Sequence, residues 1–329
     1  VLTTLTDRID ARRILIFVSL LNALGTVGFG LLADGMASAM LLWGLTGLGF
    51  AGAYMPGLKA LTDRLDPGDS SRSVTVYTGA FSFGVGLSFL ACQLIADAFG
   101  WRWAFILTGL PPLAMTFVAW SLTPVTPAPR GGPLLHLAPA LSNRAALGYS
   151  FAYGWHCFEL YGVRTWLVAF WGFVAASGGA PLGAVVVSAL FTALAMPASI
   201  LGNELALKLG RHRAITLVML LSAAVALAIG LTAGLSPWLT LMLMLVYAFT
   251  VPGDSGALTS GMAAAADPRF RGASMAVHST VGFAFTAAGG WVIGVALDMA
   301  GGVSQPNAWA LAYAVMAAGA AMGPVCLWW

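Results

Sequence analysis

Hydrophobic positions in this chain run together in uncharged blocks of twenty or more residues, with no strict polar and apolar alternation. A helix that is apolar all round belongs in a protein interior or a membrane, and a bilayer core of ~30 Å takes about 20 such residues. No charged residue lies between Arg13 and Asp34, between Asp34 and Lys59, or between Arg72 and Asp97. The longer uncharged runs, Arg164 to Glu204 and Arg213 to Asp254, each hold most of two spans, interrupted at Gly178, Gly179 and Pro181 and at Ser236 and Pro237. The pattern predicts ten membrane helices, over residues 14–33, 36–58, 75–96, 103–122, 145–173, 182–203, 214–235, 238–262, 274–297 and 308–329. The fold class expected is all-α and polytopic, because a barrel would show short alternating segments.

The charges lie between these blocks and favour one side. Of the 15 Lys and Arg residues, 13 fall on ends that face the same way: Arg8, Arg12, Arg13, Lys59, Arg64, Arg72, Arg130, Arg144, Lys208, Arg211, Arg213, Arg269 and Arg271. Arg102 sits in an opposite loop, and Arg164 inside a span. An excess of Lys and Arg marks the cytoplasmic side. The expectation is a multi-pass protein of a bacterial-type inner membrane, basic loops inside, with the lipid bilayer as its constant partner. Composition acts by exclusion: 59% hydrophobic and 8% charged residues leave too little polar surface for a soluble domain. The net charge of +3 then reports topology, and no nucleic-acid partner is expected. Cys92, Cys157 and Cys326 lie in apolar spans without paired spacing, so neither a metal nor a disulfide frame is expected.

A repeat underlies the pattern. Arg8 and Lys208 are 200 residues apart, Arg72 and Arg271 are 199 apart, and Asp97 and Asp298 are 201 apart. Two homologous halves follow. The second half has room for two spans ahead of its basic loop, whereas only six residues precede Asp7. The expected parent is therefore a twelve-span protein lacking about two helices here. Residues 1–123 are expected to be the remainder of an amino-terminal six-helix bundle, 124–143 a proline-rich cytoplasmic linker with Arg130, and 144–329 the carboxy-terminal six-helix bundle.

The charged loop at the first landmark resembles the signature of the major facilitator superfamily, Gly-x-x-x-Asp-Arg-x-Gly-Arg-Arg. Asp7, Arg8, Arg12 and Arg13 match its charged core, while Thr3, Asp10 and Ala11 depart from its two glycines and one arginine. The second copy keeps Lys208, Gly210, Arg211 and Arg213, with Asn203 and Leu207 in place of the first glycine and the aspartate. Gly100-Trp101-Arg102-Trp103-Ala104-Phe105 is similar to the family's opening of helix six. The resemblance implies two six-helix bundles around a central cavity, with alternating access by rocking of the halves, and makes the ten spans helices three to twelve. It also implies a conformational latch at the basic loops. The loop aspartate, Asp7, would meet the positive amino end of a neighbouring helix. Arg8, Arg12, Arg13, Lys208, Arg211 and Arg213 would share that role or simply set topology. With Leu207 at the aspartate position, the latch should be lopsided.

Ionisable groups inside a span are expensive and mark functional positions by default. The densest set is Tyr153, Trp155, His156, Glu159, Tyr161 and Arg164 in helix seven. At ~1.5 Å per residue from Ala145, His156, Glu159 and Arg164 lie roughly 17, 21 and 28 Å along it. His156 and Glu159 are then near mid-membrane and one turn apart, close enough to couple, with Arg164 near the outer surface. Glu159 with His156 can bind and release a proton, or the two can be a buried hydrogen-bonded pair locking the helix to a neighbour. Tyr153, Trp155 and Tyr161 can line a cavity or pack. Pro252, Gly253 and Asp254 break helix ten, about 24 Å from its outer end. That place suits an inner gate or coupling ion, or a plain kink. His278 reads as an interfacial histidine.

No phosphate loop, metal-ligand spacing or nucleophile triad is visible, so neither an enzyme nor a cofactor is expected. The function expected is secondary active transport of a small polar or anionic solute by a functional monomer, with H+ as a candidate coupling ion. A passive facilitator or channel, or a non-transporting receptor, are the alternatives.

Overall fold

The computed structural model describes residues 2–65, 70–127 and 137–328, with Phe89 described by its backbone alone. Arg130 and the rest of 128–136 in the expected linker lie outside the described residues. The chain folds as α1 Leu2–Leu5, α2 Ala11–Leu32, α3 Met36–Thr62, α4 Ser70–Phe99, α5 Trp101–Thr108, α6 Leu110–Ser121, α7 Ala138–Ser142, α8 Arg144–Ala176, α9 Ala184–Ala193, α10 Ala195–Leu209, α11 Arg211–Thr232, α12 Pro237–Thr250, α13 Ser255–Ala265, α14 Arg271–Met299 and α15 Pro306–Leu327. Short 3-10 turns at Val251–Asp254 and Pro268–Phe270 join the helices on either side.

Among the described residues, nine stretches are long and apolar enough to cross a membrane: α2, α3, α4, α5 with α6, α9 with α10, α11, α12 with α13, the run from Pro268 through α14, and α15. The tenth expected span is α8. Its 33 residues are ample in length, and it is less apolar because it holds Tyr153, His156, Glu159 and Arg164.

Local chemistry sets where the helices start and bend. Asp10 caps α2 by accepting from Arg12 N, and Asn143 caps α8 by accepting from Ala146 N. Gly210 turns the chain between α10 and α11 at φ 87°, a conformation that strains residues with a Cβ. Interior breaks follow proline, which withdraws a backbone donor: α5 passes to α6 just before Pro111 and Pro112, and α12 to α13 through Pro252.

The described residues form two compact units. One comprises those of Val1–Pro67, Gly84–Ser142 and Asp267–Ala276, the other those of Gly68–Phe83, Asn143–Ala266 and Val277–Trp329. Two short described segments, 70–83 and 267–276, depart from sequence order. In unit one, α2 packs on α3, α5 and α6 over a core of Ile14, Leu15, Val18, Ala60 and Ala119. Gly49 lets α3 approach closely, since a Cβ there would lie 2.6 Å from Asn22 N. Gly44 and Gly47 have nothing within 4 Å, so the glycine row of α3 makes close contact only at its inner members. In unit two, α8, α11 and α15 pack together with α12 and α13 around Phe170, Trp171, Tyr247, Trp309 and Tyr313. Leu24, Phe117, Trp120, Leu231 and Trp291 stay exposed. In water such surface would drive aggregation; against lipid tails it is an ordinary exterior.

Candidate functional site

The site lies on the middle turns of α8 in unit two. Glycines on α14 bring that helix close: a Cβ at Gly282 would lie 2.5 Å from the Tyr153 ring, and one at Gly289 would lie 2.5 Å from Phe158 O. Tyr153 stacks on His278 of α14, with centroids 4.1 Å apart, and on His156, 5.6 Å away. Trp155 meets Phe285 of α14 edge-on at 4.9 Å.

His156 does not pair with Glu159. Its Nδ1 lies 2.6 Å from Asp254 Oδ1, with both side chains buried, at the distance of a close ion pair but outside hydrogen-bonding angles. Asp254 ends the 3-10 turn made by Val251, Pro252 and Gly253, all buried. It is therefore a partner of the mid-helix histidine. α12 through α13 runs 29 residues, about 43 Å at ~1.5 Å per residue, and the turn falls near the middle of that run. Glycine is needed on the facing helix too, because a Cβ on Gly202 of α10 would collide with the Gly253 carbonyl.

Glu159 points to α11 and α12. Ser222 Oγ donates to its Oε1 at 2.7 Å and Tyr247 OH donates to the same oxygen at 2.9 Å. All three side chains are buried. Ser222 and Tyr247 were not expected, since a lone hydroxyl in an apolar span carries no sequence signal.

Arg164 is the outlier. Its guanidinium lies 5.6 Å from the Tyr161 ring centroid, and its three nitrogen atoms are buried with no partner in hydrogen-bonding geometry. A helical side chain leans towards the helix amino end, which here carries the charge back along α8 to Tyr161. His278 also lies in the protein interior. It is fully buried, with Nδ1 3.2 Å from Ser150 Oγ. Ser150 Oγ also lies 2.8 Å from Ala146 O, and His278 Nε2 has no partner in hydrogen-bonding geometry.

At the basic ends, Asp7 is buried and accepts from Gly272 N at 2.8 Å and Ala273 N at 3.0 Å, the first amides of α14. Arg12 donates to Ala119 O and Trp120 O at the end of α6. Arg211 donates to Ser71 Oγ. Arg8 is half-buried, and Arg13, Lys208 and Arg213 are exposed. Asp10, at a glycine position of the loop pattern, accepts from Arg64 Nη2 and from Val125 N. Burial works against its charge, but the hydrogen bonds from Val125, Arg12 and Arg64 outweigh it and hold the carboxyl below the usual Asp range.

A sequence profile of the Major Facilitator Superfamily matches residues 1–290. Human monocarboxylate transporter 11 is 31% identical over 153 residues, which is 44% of this chain and 31% of that protein, so the match spans about a third of the relative's length. The crystal structure of a variant of the E. coli fucose:proton symporter matches with a TM-score of 0.68 at 14% identity, over 98% of this chain and 85% of that one. That likeness is one of fold.

Proposed function

The chain belongs to the major facilitator superfamily, and from that premise we propose that this secondary transporter moves a small carboxylate-bearing anion, coupled to protons through His156 and Asp254. The observation that carries the substrate reading is the buried, unpartnered guanidinium of Arg164. An arginine whose donors face no protein acceptor is costly inside a membrane, and a planar carboxylate is the anion its donor fork fits best. Similarity to a protein named as a monocarboxylate transporter points the same way. The proton reading rests on the buried His156 and Asp254 pair, whose net charge changes by one with each proton taken up or released, so that the charge state of the site would be tied to the proton. Similarity in fold to a protein named as a proton symporter is compatible with it. In this reading the basic loops face the cytoplasm of a bacterial-type inner membrane.

The test is pH-driven uptake of labelled pyruvate, lactate and succinate by proteoliposomes, beside a neutral sugar. Arg164→Gln should raise the apparent KM for the carboxylate by about 10- to 100-fold, the equivalent of one charge-assisted hydrogen bond or more. Equal carboxylate KM values for wild type and variant, or sugar uptake unaffected by any carboxylate, would overturn the reading.

A further inference from the structure

α2 and α11 each begin at a basic loop, and their far ends are built alike but finished differently. α2 closes through Gly30-Leu31-Leu32-Ala33-Asp34, and α11, 200 residues later, through Gly230-Leu231-Thr232-Ala233-Gly234. The last carbonyls of a helix have no partner within it and carry partial negative charge. In unit one Arg102, the second residue of α5, answers that charge. Its Nη1 donates to Gly30 O at 3.1 Å and Leu31 O at 3.4 Å, and its Nη2 donates to Ala33 O at 3.4 Å and Asp34 Oδ1 at 2.7 Å. The guanidinium also lies 4.8 Å from the Trp101 ring centroid. In unit two the place of the aspartate is taken by Gly234, at φ 86°, and no Lys or Arg lies between Arg271 and Trp329. The connection is longer as well: Gly100 alone joins α4 to α5, whereas residues 300–305 join α14 to α15. A cavity of about 550 Å³ lies at this end of unit two, lined by Gly172, Phe173 and Ser177 from the end of α8, Gly234 after α11, and Val303 and Ser304 before α15.

We propose that this cavity binds an organic cation, an ammonium or guanidinium group on a short apolar body, in the place that Arg102 fills in unit one. The inference goes beyond the transport reading and does not depend on it. The volume is that of a small-ligand site. The end of α11 supplies the partial negative charge that favours a cation. Phe173 offers a ring beside that helix end, since a Cβ on Gly234 would lie 3.4 Å from its ζ carbon, much as Trp101 does for Arg102. Ser177 Oγ donates to Val174 O at 2.7 Å, and its lone pairs can still accept an N–H. Gly172 leaves the room: a Cβ there would have nothing within 4 Å. No basic side chain is among the residues that line the cavity, so an anion finds no counter-charge in it.

The experiment is calorimetric titration of the full chain, in lipid-free detergent, with n-butylguanidinium and n-butylammonium beside n-butylurea, a neutral molecule of nearly the guanidinium's shape. Both cations should bind, and the urea about tenfold more weakly or worse, the loss of a charge-assisted contact. Gly172→Leu, whose side chain would stand in the cavity, should weaken both cations about tenfold or more. Phe173→Leu should weaken n-butylguanidinium about two- to fivefold and leave n-butylurea unchanged. Melting temperatures check that each variant is folded. A free amine and a lipid headgroup share this chemistry, and nanodiscs separate them. Weaker n-butylguanidinium binding in bilayers that contain phosphatidylethanolamine than in phosphatidylcholine alone assigns the place to a lipid ammonium, and equal binding assigns it to a free cation; the site stands in both cases. Absence of binding by both cations, equal affinity for n-butylguanidinium and n-butylurea, or unchanged cation affinity in folded Gly172→Leu would overturn it.

Discussion

Asp254 Oδ1 lies 2.6 Å from His156 Nδ1, which joins the middle of α8 to the 3-10 turn between α12 and α13. The pair couples a titratable ring to a place where a long helix has lost its regular backbone bonding. A change of charge on either partner would therefore be felt as a change in how the Pro252 and Gly253 break is held. Glu159, one turn along α8, has a different occupation: it closes a three-residue hydrogen-bond cluster with Ser222 and Tyr247.

Asp254→Asn should abolish pH-driven accumulation while leaving solute counterflow, because the amide keeps the shape and cannot titrate. Glu159→Gln should retain accumulation with its pH dependence, since the amide oxygen can still accept from Ser222 and Tyr247. Glu159→Leu should instead lower thermal stability by roughly 2–4 kcal/mol, two buried hydroxyls being left without an acceptor. Loss of pH-driven accumulation in Glu159→Gln with its retention in Asp254→Asn would reverse the two roles.

Gly202→Ala should destabilise the protein although it adds one methyl group. The new Cβ would meet the Gly253 carbonyl, backbone that cannot rotate away, and forced overpacking of this kind costs roughly 1–3 kcal/mol. Gly44→Ala, at a glycine with open space around it, is the control and should be neutral within about 0.5 kcal/mol. Similar melting temperatures for the two variants would remove the packing argument.

Asp7 and Gly272 should behave as one unit. A Cβ on Gly272 would lie 2.5 Å from Thr6 Oγ1 and 2.6 Å from Asp7 Oδ1, so Gly272→Ala pushes the carboxylate off the amides it accepts from. Asp7→Asn removes the charge that favours a helix amino end. Each single variant should change the rate of interconversion more than solute affinity, and the double variant should add little to either. Full additivity in a double-mutant cycle on transport rate would show that the two residues act separately.

How much of this was legible in the sequence depends on the reach of each signal. The spans were plain because charge gaps are a one-dimensional property, and the 199 to 201 residue spacings are one too, which is why two halves could be expected from them. The polar turns of α8 were visible for the same reason. Pairing was not: His156 and Asp254 are 98 positions apart, and nothing along the chain distinguishes that contact from the nearer His156 and Glu159. The position of Arg164 along the helix did not show that its side chain leans back to the Tyr161 ring. His278 sits eight residues into α14, a place that reads as interfacial, yet Tyr153 and Ser150 enclose it. Asn203 could be seen as a departure from the loop pattern, but its hydroxyl partners came from distant helices.

Asp10 makes the last prediction, one of sign. Its carboxylate accepts from Val125 N at 2.9 Å, Arg12 N at 3.0 Å and Arg64 Nη2 at 3.0 Å, and so ties the chain just beyond α6 to the start of α2. The folded value lies below the ordinary one, so the charged form is favoured by folding. The contribution is therefore complete above the ordinary Asp value of about 3.9 and is lost as pH falls through the lowered folded value. Asp10→Asn should speed amide hydrogen exchange at Val125 about tenfold at pH 7, corresponding to roughly 1.4 kcal/mol for a lost charge-assisted bond. Compared at equal pH, the two proteins should keep that ratio down to about pH 4 and converge below it as wild-type Asp10 takes up its proton. A ratio that instead shrinks between pH 8 and 5 would mean that another group, and not Asp10, governs the clamp.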